Sequence, residues 1–211
     1  MGIAMHLSTD LFADDSGTQL VDVDGRVIYW ASFLCAEEAE RLFNGLLSEA
    51  KWQQEAIQMY GNVVNQPRLT AWYGEYGANA ADGYQRLVTA QAFTPELLAL
   101  KNKIEKITGH YFNSVLANFY RSGQDSVAYH ADDEAILGVN PAIASYSIGA
   151  SRRFLLKHKQ QQRETLKISL QHNSLLLMDG CLQHHWLHSI SKTKRPVEAR
   201  INLTFRFLYK K

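Results

Sequence analysis

His130 and Asp132 stand two residues apart in the stretch Tyr129-His130-Ala131-Asp132-Asp133-Glu134. On a β-strand that spacing sends both side chains to one face. An imidazole and a carboxylate so placed supply two ligands of a 2-His-1-carboxylate triad. Such a triad leaves coordination positions open and suits non-haem Fe(II) chemistry. A solvated strand end also carries His-x-Asp, so the weight falls on a third ligand, a His from a distant strand. His158, His172, His184, His185 and His188 are the candidates. A helical H-x-x-x-H pair, His184 with His188, lacks a Glu at position 185, and its surroundings are too aromatic and β-branched to favour a helix. His158 and His172 read as polar residues near turns. The choice is His188, which shares a face with Trp186 and is read as lying on the strand next to Arg200.

The last strand offers a second kind of chemistry. Arg200, Asn202, Thr204 and Arg206 alternate with Ile201, Leu203, Phe205 and Phe207, one face polar and the other apolar. An edge strand with a solvated face would look the same. Two arginines bracketing Asn and Thr also suit a pocket for a small dianion, because guanidinium pairs bidentately with carboxylate. Asn118 and Tyr120 repeat the pattern on an earlier strand, with an amide and a hydroxyl for the remaining lone pairs.

The elements that must position these residues follow from periodicity and turn chemistry. Residues 1–16 read as a loose arm. Thr18 to Tyr29 reads as a hairpin around Asp24-Gly25. Ala39, Leu42, Phe43, Leu46 and Leu47 recur at helical spacing between Ala36 and Ala50. Gln53–Tyr60 and Arg68–Tyr73 read as two strands around a turn at Gly61-Asn62, and residues 74–92 as a long irregular loop. Thr94-Pro95 opens a second helix that Gly109 ends. About eight short strands follow, ending with His184–Ile190 and Arg200–Tyr209. The fold class is α+β, mainly β: a double-stranded β-helix, or jelly roll, with two helices from the first half packed outside. Residues 17–211 form one domain, with 17–112 an extension carrying recognition loops and 113–211 the jelly-roll core.

With 211 residues and 46% hydrophobic side chains the chain can bury one well-packed core. A net charge of +1 announces no polyanion partner, so nucleic-acid affinity would come from local patches. Arg152, Arg153, Lys157, Lys159 and Arg163 form one such patch, and Lys192, Lys194 and Arg195 another. The two cysteines, Cys35 and Cys181, lack metal-ligand spacing and suit a reduced, cytoplasmic compartment. The start has no signal-peptide pattern, no run approaches a membrane span, and no obligate protein partner is inferred.

Taken together the motifs resemble the AlkB-type Fe(II)- and 2-oxoglutarate-dependent nucleic-acid dealkylases, from about Tyr60 to Phe207. The ordered matches are Asn118-Phe-Tyr120, His130-Ala-Asp132-Asp133-Glu134, Ile143-Ala-Ser145-Tyr-Ser147-Ile-Gly149, Arg153-Phe, His158-Lys159, Ser174-Leu-Leu, Trp186-Leu-His188 and Arg200-Ile-Asn202-Leu-Thr204-Phe-Arg206. Within the family the likeness is to members that repair duplex DNA: Asp133-Glu134 follows Asp132, and Met59-Tyr60-Gly61 resembles their apolar-aromatic-Gly finger.

The resemblance implies Fe(II) held by His130, Asp132 and His188. It implies 2-oxoglutarate held by Asn118, Tyr120, Arg200, Asn202, Thr204 and Arg206, with the two arginines paired to its two carboxylates; which takes which stays open, and Arg200 is put at the distal one. O2 would oxidise 2-oxoglutarate to succinate and CO2 while an N-methyl group on a base of the 1-methyladenine or 3-methylcytosine type is hydroxylated and lost as formaldehyde. A base within a duplex must flip out to reach such a site. Tyr60, with Gly61, is the candidate wedge filling the vacated stack, and Asp133 and Glu134 are candidates to meet the base. Family members usually carry an aromatic pair after the stretch that is here Tyr73-Gly74-Glu75. This chain has Tyr84-Gln85-Arg86 instead, so Tyr84 is the candidate stacking residue and base preference stays open. The expected partner is alkylated DNA, duplex favoured and single strand possible. The competing readings are an oxygenase acting on RNA, protein or a small molecule, and a jelly-roll binding module without catalysis.

Overall fold

The computed structural model describes residues 17–59, 62–75, 79–81, 87–161 and 165–209. The expected arm at 1–16 lies outside them. Strands β1 (Thr18–Val21) and β2 (Arg26–Trp30) form the hairpin expected around Asp24-Gly25, with Asp24 at φ 55° and Gly25 at φ 122°. Glycine is required at 25 twice over. Its φ is left-handed, and a Cβ there would lie 2.4 Å from the Cα of Leu182.

Helix α1 (Ala36–Glu49) buries Ala39, Leu42 and Leu46 of the stripe read from the sequence, while Phe43 is half-buried and Leu47 is exposed. Its first turn is closed by the Glu38 carboxylate, which accepts from the Cys35 N–H at 3.1 Å. Helix α2 (Pro95–Thr108) begins where Thr94 Oγ1 accepts from the Leu97 N–H, with Pro95 in its first turn. It stops at Gly109, which takes φ 73°.

Between the helices the expected strand pair forms differently. Strand β3 (Ala56–Met59) pairs with β4 (Asn62–Asn65) as a separate ribbon, while β5 (Leu69–Gly74) leaves for a large sheet. The hydrophobic run at 69–73 has two faces to bury, which the large sheet supplies and a solvated hairpin does not. The region expected to be an irregular loop contains β6 (Asn79–Ala81) and β7 (Leu87–Thr89), paired antiparallel.

The remaining strands are β8 (Ser114–Tyr120), β9 (Val127–His130), β10 (Ile143–Gly149), β11 (Arg152–His158), β12 (Leu166–Leu170), β13 (Ser174–Asp179), β14 (Trp186–Ile190) and β15 (Arg200–Arg206). A short helix α3 (Leu182–His185) precedes β14, so the strand expected from His184 starts two residues later. The large sheet runs β1-β2-β13-β10-β15-β8-β5 and the small one β12-β11-β14-β9, a two-sheet jelly roll. Residues 17–112 thus add three strands to the sheet that residues 113–211 complete.

Alternation sets what each face meets. Ile201, Leu203 and Phe205 of β15 join Ala144, Tyr146 and Ile148 of β10 against Leu42, Leu46, Leu97 and Ile104 of the two helices. At roughly 25 cal/mol per Å² of apolar area, a layer this large is the main stabilising term of the fold. Between the sheets a second apolar cluster gathers Tyr120, Phe154, Leu156, Leu170, Leu176, Met178, Trp186 and Ile190. The polar faces of β8 and β15 open into that space.

Candidate active site

Strand β15 is central in the large sheet, between β10 and β8, so its polar face is interior and the edge-strand reading fails. Arg200, Asn202 and Thr204 are all buried. Polar groups enclosed in this way must find partners or wait for a ligand. Asn202 gives its amide to Ser145 Oγ at 2.8 Å and Tyr146 O at 3.1 Å, and accepts from Thr204 Oγ1 at 3.0 Å. Arg200 is different. Its Nη2 donates to Ser147 Oγ at 2.9 Å and its guanidinium lies 5.0 Å from the centre of the Tyr120 ring, but Nε and Nη1 meet no partner. Burial pulls its pKa down to about 10, so the group remains a cation at neutral pH. A buried cation with two unused donors suits an anionic ligand.

The small sheet supplies the other half. His188 on β14 pairs directly opposite His130 on β9, with ring centroids 4.2 Å apart. Strand β14 therefore lies across the sandwich from β15, not beside it as expected; the crossover between them changes sheets. Phe154 stacks on His188 at 5.4 Å. Strand β9 ends at His130, so Asp132 is reached through irregular backbone rather than by strand alternation. The two side chains still converge, with His130 Nε2 and Asp132 Oδ1 4.0 Å apart.

These three residues fit a divalent metal. Each offers a donor atom within 4.8 Å of the others. His130 Nδ1 lies 2.9 Å from the Ala128 carbonyl, which can only accept, so Nδ1 carries the proton and the Nε2 lone pair faces Asp132. Burial, reinforced by His130, pushes the His188 pKa down to about 3, leaving a neutral imidazole whose Nδ1 is buried and unpartnered. Burial alone would raise the Asp132 carboxyl, but Arg206 with the two histidines holds it down at about 2. Arg206 Nη2 reaches both carboxylate oxygens, at 2.9 and 3.1 Å. With His188 neutral and Asp132 ionised, both buried donors are ready for a cation.

A single pocket connects the two halves. Its lining includes His130, Asp132, His188, Asn118, Tyr120, Arg200, Asn202, Thr204 and Arg206, all expected from the sequence. It also includes Arg68 and Ser145, to which no role was assigned. Arg68 Nε donates to Asn118 Oδ1 at 2.7 Å across fifty residues of chain, a contact without local signal. Ser145 carries its hydroxyl on the interior face of β10, two residues before Ser147; that alternation was visible, its orientation was not.

The outer candidates divide. Asp133 is exposed and lies 3.8 Å from Lys159 Nζ. Glu134 is half-buried, its Oε2 meets no partner, and burial, with Asp132 nearby, raises its pKa. Tyr60, Gly61 and Tyr84 lie outside the described residues, as does Arg163. Arg152 does not belong to a surface patch. It is buried, and its guanidinium donates to the carbonyls of Ser122, Asp125 and Ser191. Its neighbour Arg153 faces out because β11 alternates.

A second trio, Asp24, His158 and His185, also brings donors within reach of one ion. His158 ends β11 beside the bend at 159–161 and is buried there. Its Nδ1 accepts from the N–H groups of Gln160 and Gln161, so the proton sits on Nε2, which donates to Asp24 at 3.0 Å. The nitrogen facing the carboxylate is a donor, and the trio is a structural clasp rather than a metal site.

Comparison with known proteins agrees with this geometry. Residues 26–206 match the family model described as the 2OG-Fe(II) oxygenase superfamily. The chain is 41% identical over 194 residues to the bovine alpha-ketoglutarate-dependent dioxygenase alkB homolog 3, covering 87% of this chain and 66% of the relative. It is 35% identical over 179 residues to the mouse DNA oxidative demethylase ALKBH2, covering 80% and 74%. The chain thus spans just under two thirds of the length of the first of these relatives. In fold it is similar to OsALKBH1, with a TM-score of 0.60 at 16% identity over 85% of this chain and 97% of that one. It is also similar to a prolyl hydroxylase from Trichoplax adhaerens, with a TM-score of 0.58 at 13% identity over 86% and 83%. With residues 26–206 matched to its family model, the chain belongs to the 2OG-Fe(II) oxygenase superfamily.

Proposed function

We propose that this protein oxidatively demethylates N-alkylated bases of the 1-methyladenine and 3-methylcytosine type in DNA. The observation that carries the reading is the convergence of His130, Asp132 and His188 beside Arg200, a buried cation with two unused donors. The relative named as a DNA oxidative demethylase supports the substrate class, and the one named as an alpha-ketoglutarate-dependent dioxygenase supports the reaction.

In this reading His130, Asp132 and His188 hold Fe(II), and Asn118, Tyr120, Arg200, Asn202, Thr204 and Arg206 bind 2-oxoglutarate. Fe(II), 2-oxoglutarate and O2 supply the oxidation of the N-methyl group, with succinate, CO2 and formaldehyde as the other products. The chain's own task is positioning and exclusion of water. Arg200 would give its free Nε and Nη1 to one 2-oxoglutarate carboxylate, taken to be the one far from the metal ligands. Arg206, already tied to Asp132, attends the near end. The Ala128 carbonyl keeps the His130 proton on Nδ1, and Phe154 packs against His188 to hold its ring. Enclosure between two sheets strengthens each of these charged contacts. Asp133 and Glu134 are assigned to meet the base, and Tyr60, Gly61 and Tyr84 to the flipped base and the vacated stack.

Duplex DNA is the favoured substrate. The β3–β4 ribbon, whose Val63 and Val64 are exposed, leads to the proposed Tyr60 wedge, and exposed Arg153, Lys157, Lys192, Lys194 and Arg195 are available to phosphates. A reduced cytoplasmic setting accords with Cys35 and Cys181, which are unbridged.

The test is incubation with Fe(II), 2-oxoglutarate, ascorbate and air on a duplex carrying one methylated base, with the single strand alongside. Methyl loss that requires 2-oxoglutarate is expected, faster on the duplex. Succinate without demethylation would overturn the DNA assignment in favour of an RNA, protein or small-molecule substrate. His130→Ala is expected to abolish turnover and metal binding while the far-UV circular dichroism stays that of wild type.

A further inference from the structure

The segment that carries His188 also grips the backbone of Asp132. Gln183 lies in α3, five residues before His188, and is buried at 1% exposure. Its side-chain oxygen accepts a 2.9 Å hydrogen bond from the Asp132 N–H, and its amide nitrogen is 4.0 Å from Met178 Sδ. Its main-chain carbonyl accepts from Lys159 Nζ at 2.9 Å, and the same ammonium lies 3.8 Å from Asp133. Helix α3 is seated in turn by the close approach of Leu182 to Gly25.

This anchor matters because the sheet does not hold Asp132. The β9–β14 ladder sets His130 opposite His188 but ends there, and residues 131–134 have no strand partners. Arg206 holds the carboxylate by charge, yet an arginine that must also attend a dianion cannot alone set the backbone beneath it. The Gln183 bond is buried and reaches across fifty-one residues of chain. A buried N–H without that partner would cost the full desolvation penalty of an amide.

We propose that Gln183 is a positioning residue for the metal ligand Asp132, so that one short turn delivers His188 and aligns Asp132 with it. The inference rests on the metal site of the preceding section but not on its DNA substrate. Metal ligands are commonly oriented by such outer partners, whose loss weakens binding by about 10- to 100-fold.

The experiment is an anaerobic Co(II) titration of the full chain, read by ligand-field absorbance without DNA or turnover. Gln183→Leu, of similar size but without an acceptor, is expected to weaken Co(II) binding by about 10- to 100-fold and to change the absorbance envelope. Leu100→Ala truncates a buried side chain of α2 in the helix layer and is expected to lower the melting temperature with Co(II) affinity intact. Wild-type affinity in Gln183→Leu would overturn the proposal, as would an equal loss in Leu100→Ala. If Gln183→Leu does not fold, Gln183→Asn, one methylene short of the amide, gives the same readout. Failure of wild type to bind Co(II) would instead overturn the metal site itself, whatever the DNA assay shows.

Discussion

Arg200 is a buried cation whose Nε and Nη1 have nothing to donate to, and such a group destabilises a fold until its anion arrives. This sets two opposite expectations for one substitution. In the absence of 2-oxoglutarate, Arg200→Met removes a desolvated charge from between the sheets and is expected to melt at or above the wild-type temperature. With 2-oxoglutarate present, wild type is expected to gain stability and the variant to gain none, with affinity for the co-substrate reduced by roughly 30-fold or more. A thermal shift series against 2-oxoglutarate concentration reads both. Arg206 is the contrast: it is spent on Asp132 before any ligand binds. Its replacement is expected to affect metal affinity as well as the co-substrate.

At the scale of elements, the end of β13 is tied to two distant pieces of chain. The Asp179 carboxylate accepts from Arg26 on β2, with Nε to Oδ1 at 2.9 Å, and lies 3.1 Å from His110 Nε2 just after α2. Burial would raise this carboxyl, but hydrogen bonds from His110 and Arg26 bring it down to about 2. Its folded value lies below the unfolded reference of 3.8. The clasp therefore contributes fully above pH 3.8, and its contribution is lost as the pH falls toward 2. Asp179→Asn is expected to cost on the order of 2 kcal/mol in urea unfolding at pH 7, a gap that closes as the pH is lowered through that window. A gap independent of pH would mean that packing, not charge, makes the tie.

For the whole molecule, net charge is only +1, so any hold on a polyanion depends on where the cations face. The small sheet has His188 on its inner face and Arg153, Lys157 and Lys167 exposed on its outer one. Lys159, grouped with them by sequence, turns its ammonium inward to Gln183 and Asp133. Lys157→Glu is therefore expected to weaken duplex binding across sequences and to flatten the dependence of log K on log salt by about 0.9, the share of one phosphate left without its cation. Lys159→Glu is expected to act on turnover through its contacts to Gln183 and Asp133. Fluorescence anisotropy at several salt concentrations separates the two.

Much of this arrangement is local and so could be read from the chain. Period-two alternation in Arg200–Arg206 and Asn118–Tyr120 sorted polar from apolar faces, and Thr94-Pro95 with Gly109 bounded α2, because such signals depend on neighbours a few residues away. His130 and His188 could be named from residue type and motif order. What alternation does not encode is which object a face will meet. Only closure of the two sheets made the polar face of β15 interior, set β14 across from it, and left Nε and Nη1 of Arg200 without partners while Arg206 took Asp132. Arg68 with Asn118, Gln183 with Asp132 and Arg152 with three carbonyls join segments tens of residues apart, so no spacing in the sequence announces them. Sequence by itself determined the chemical inventory and the faces that carry it. Tertiary structure decided the pairings, because a buried charge takes its partner from whatever the fold brings within about 3 Å.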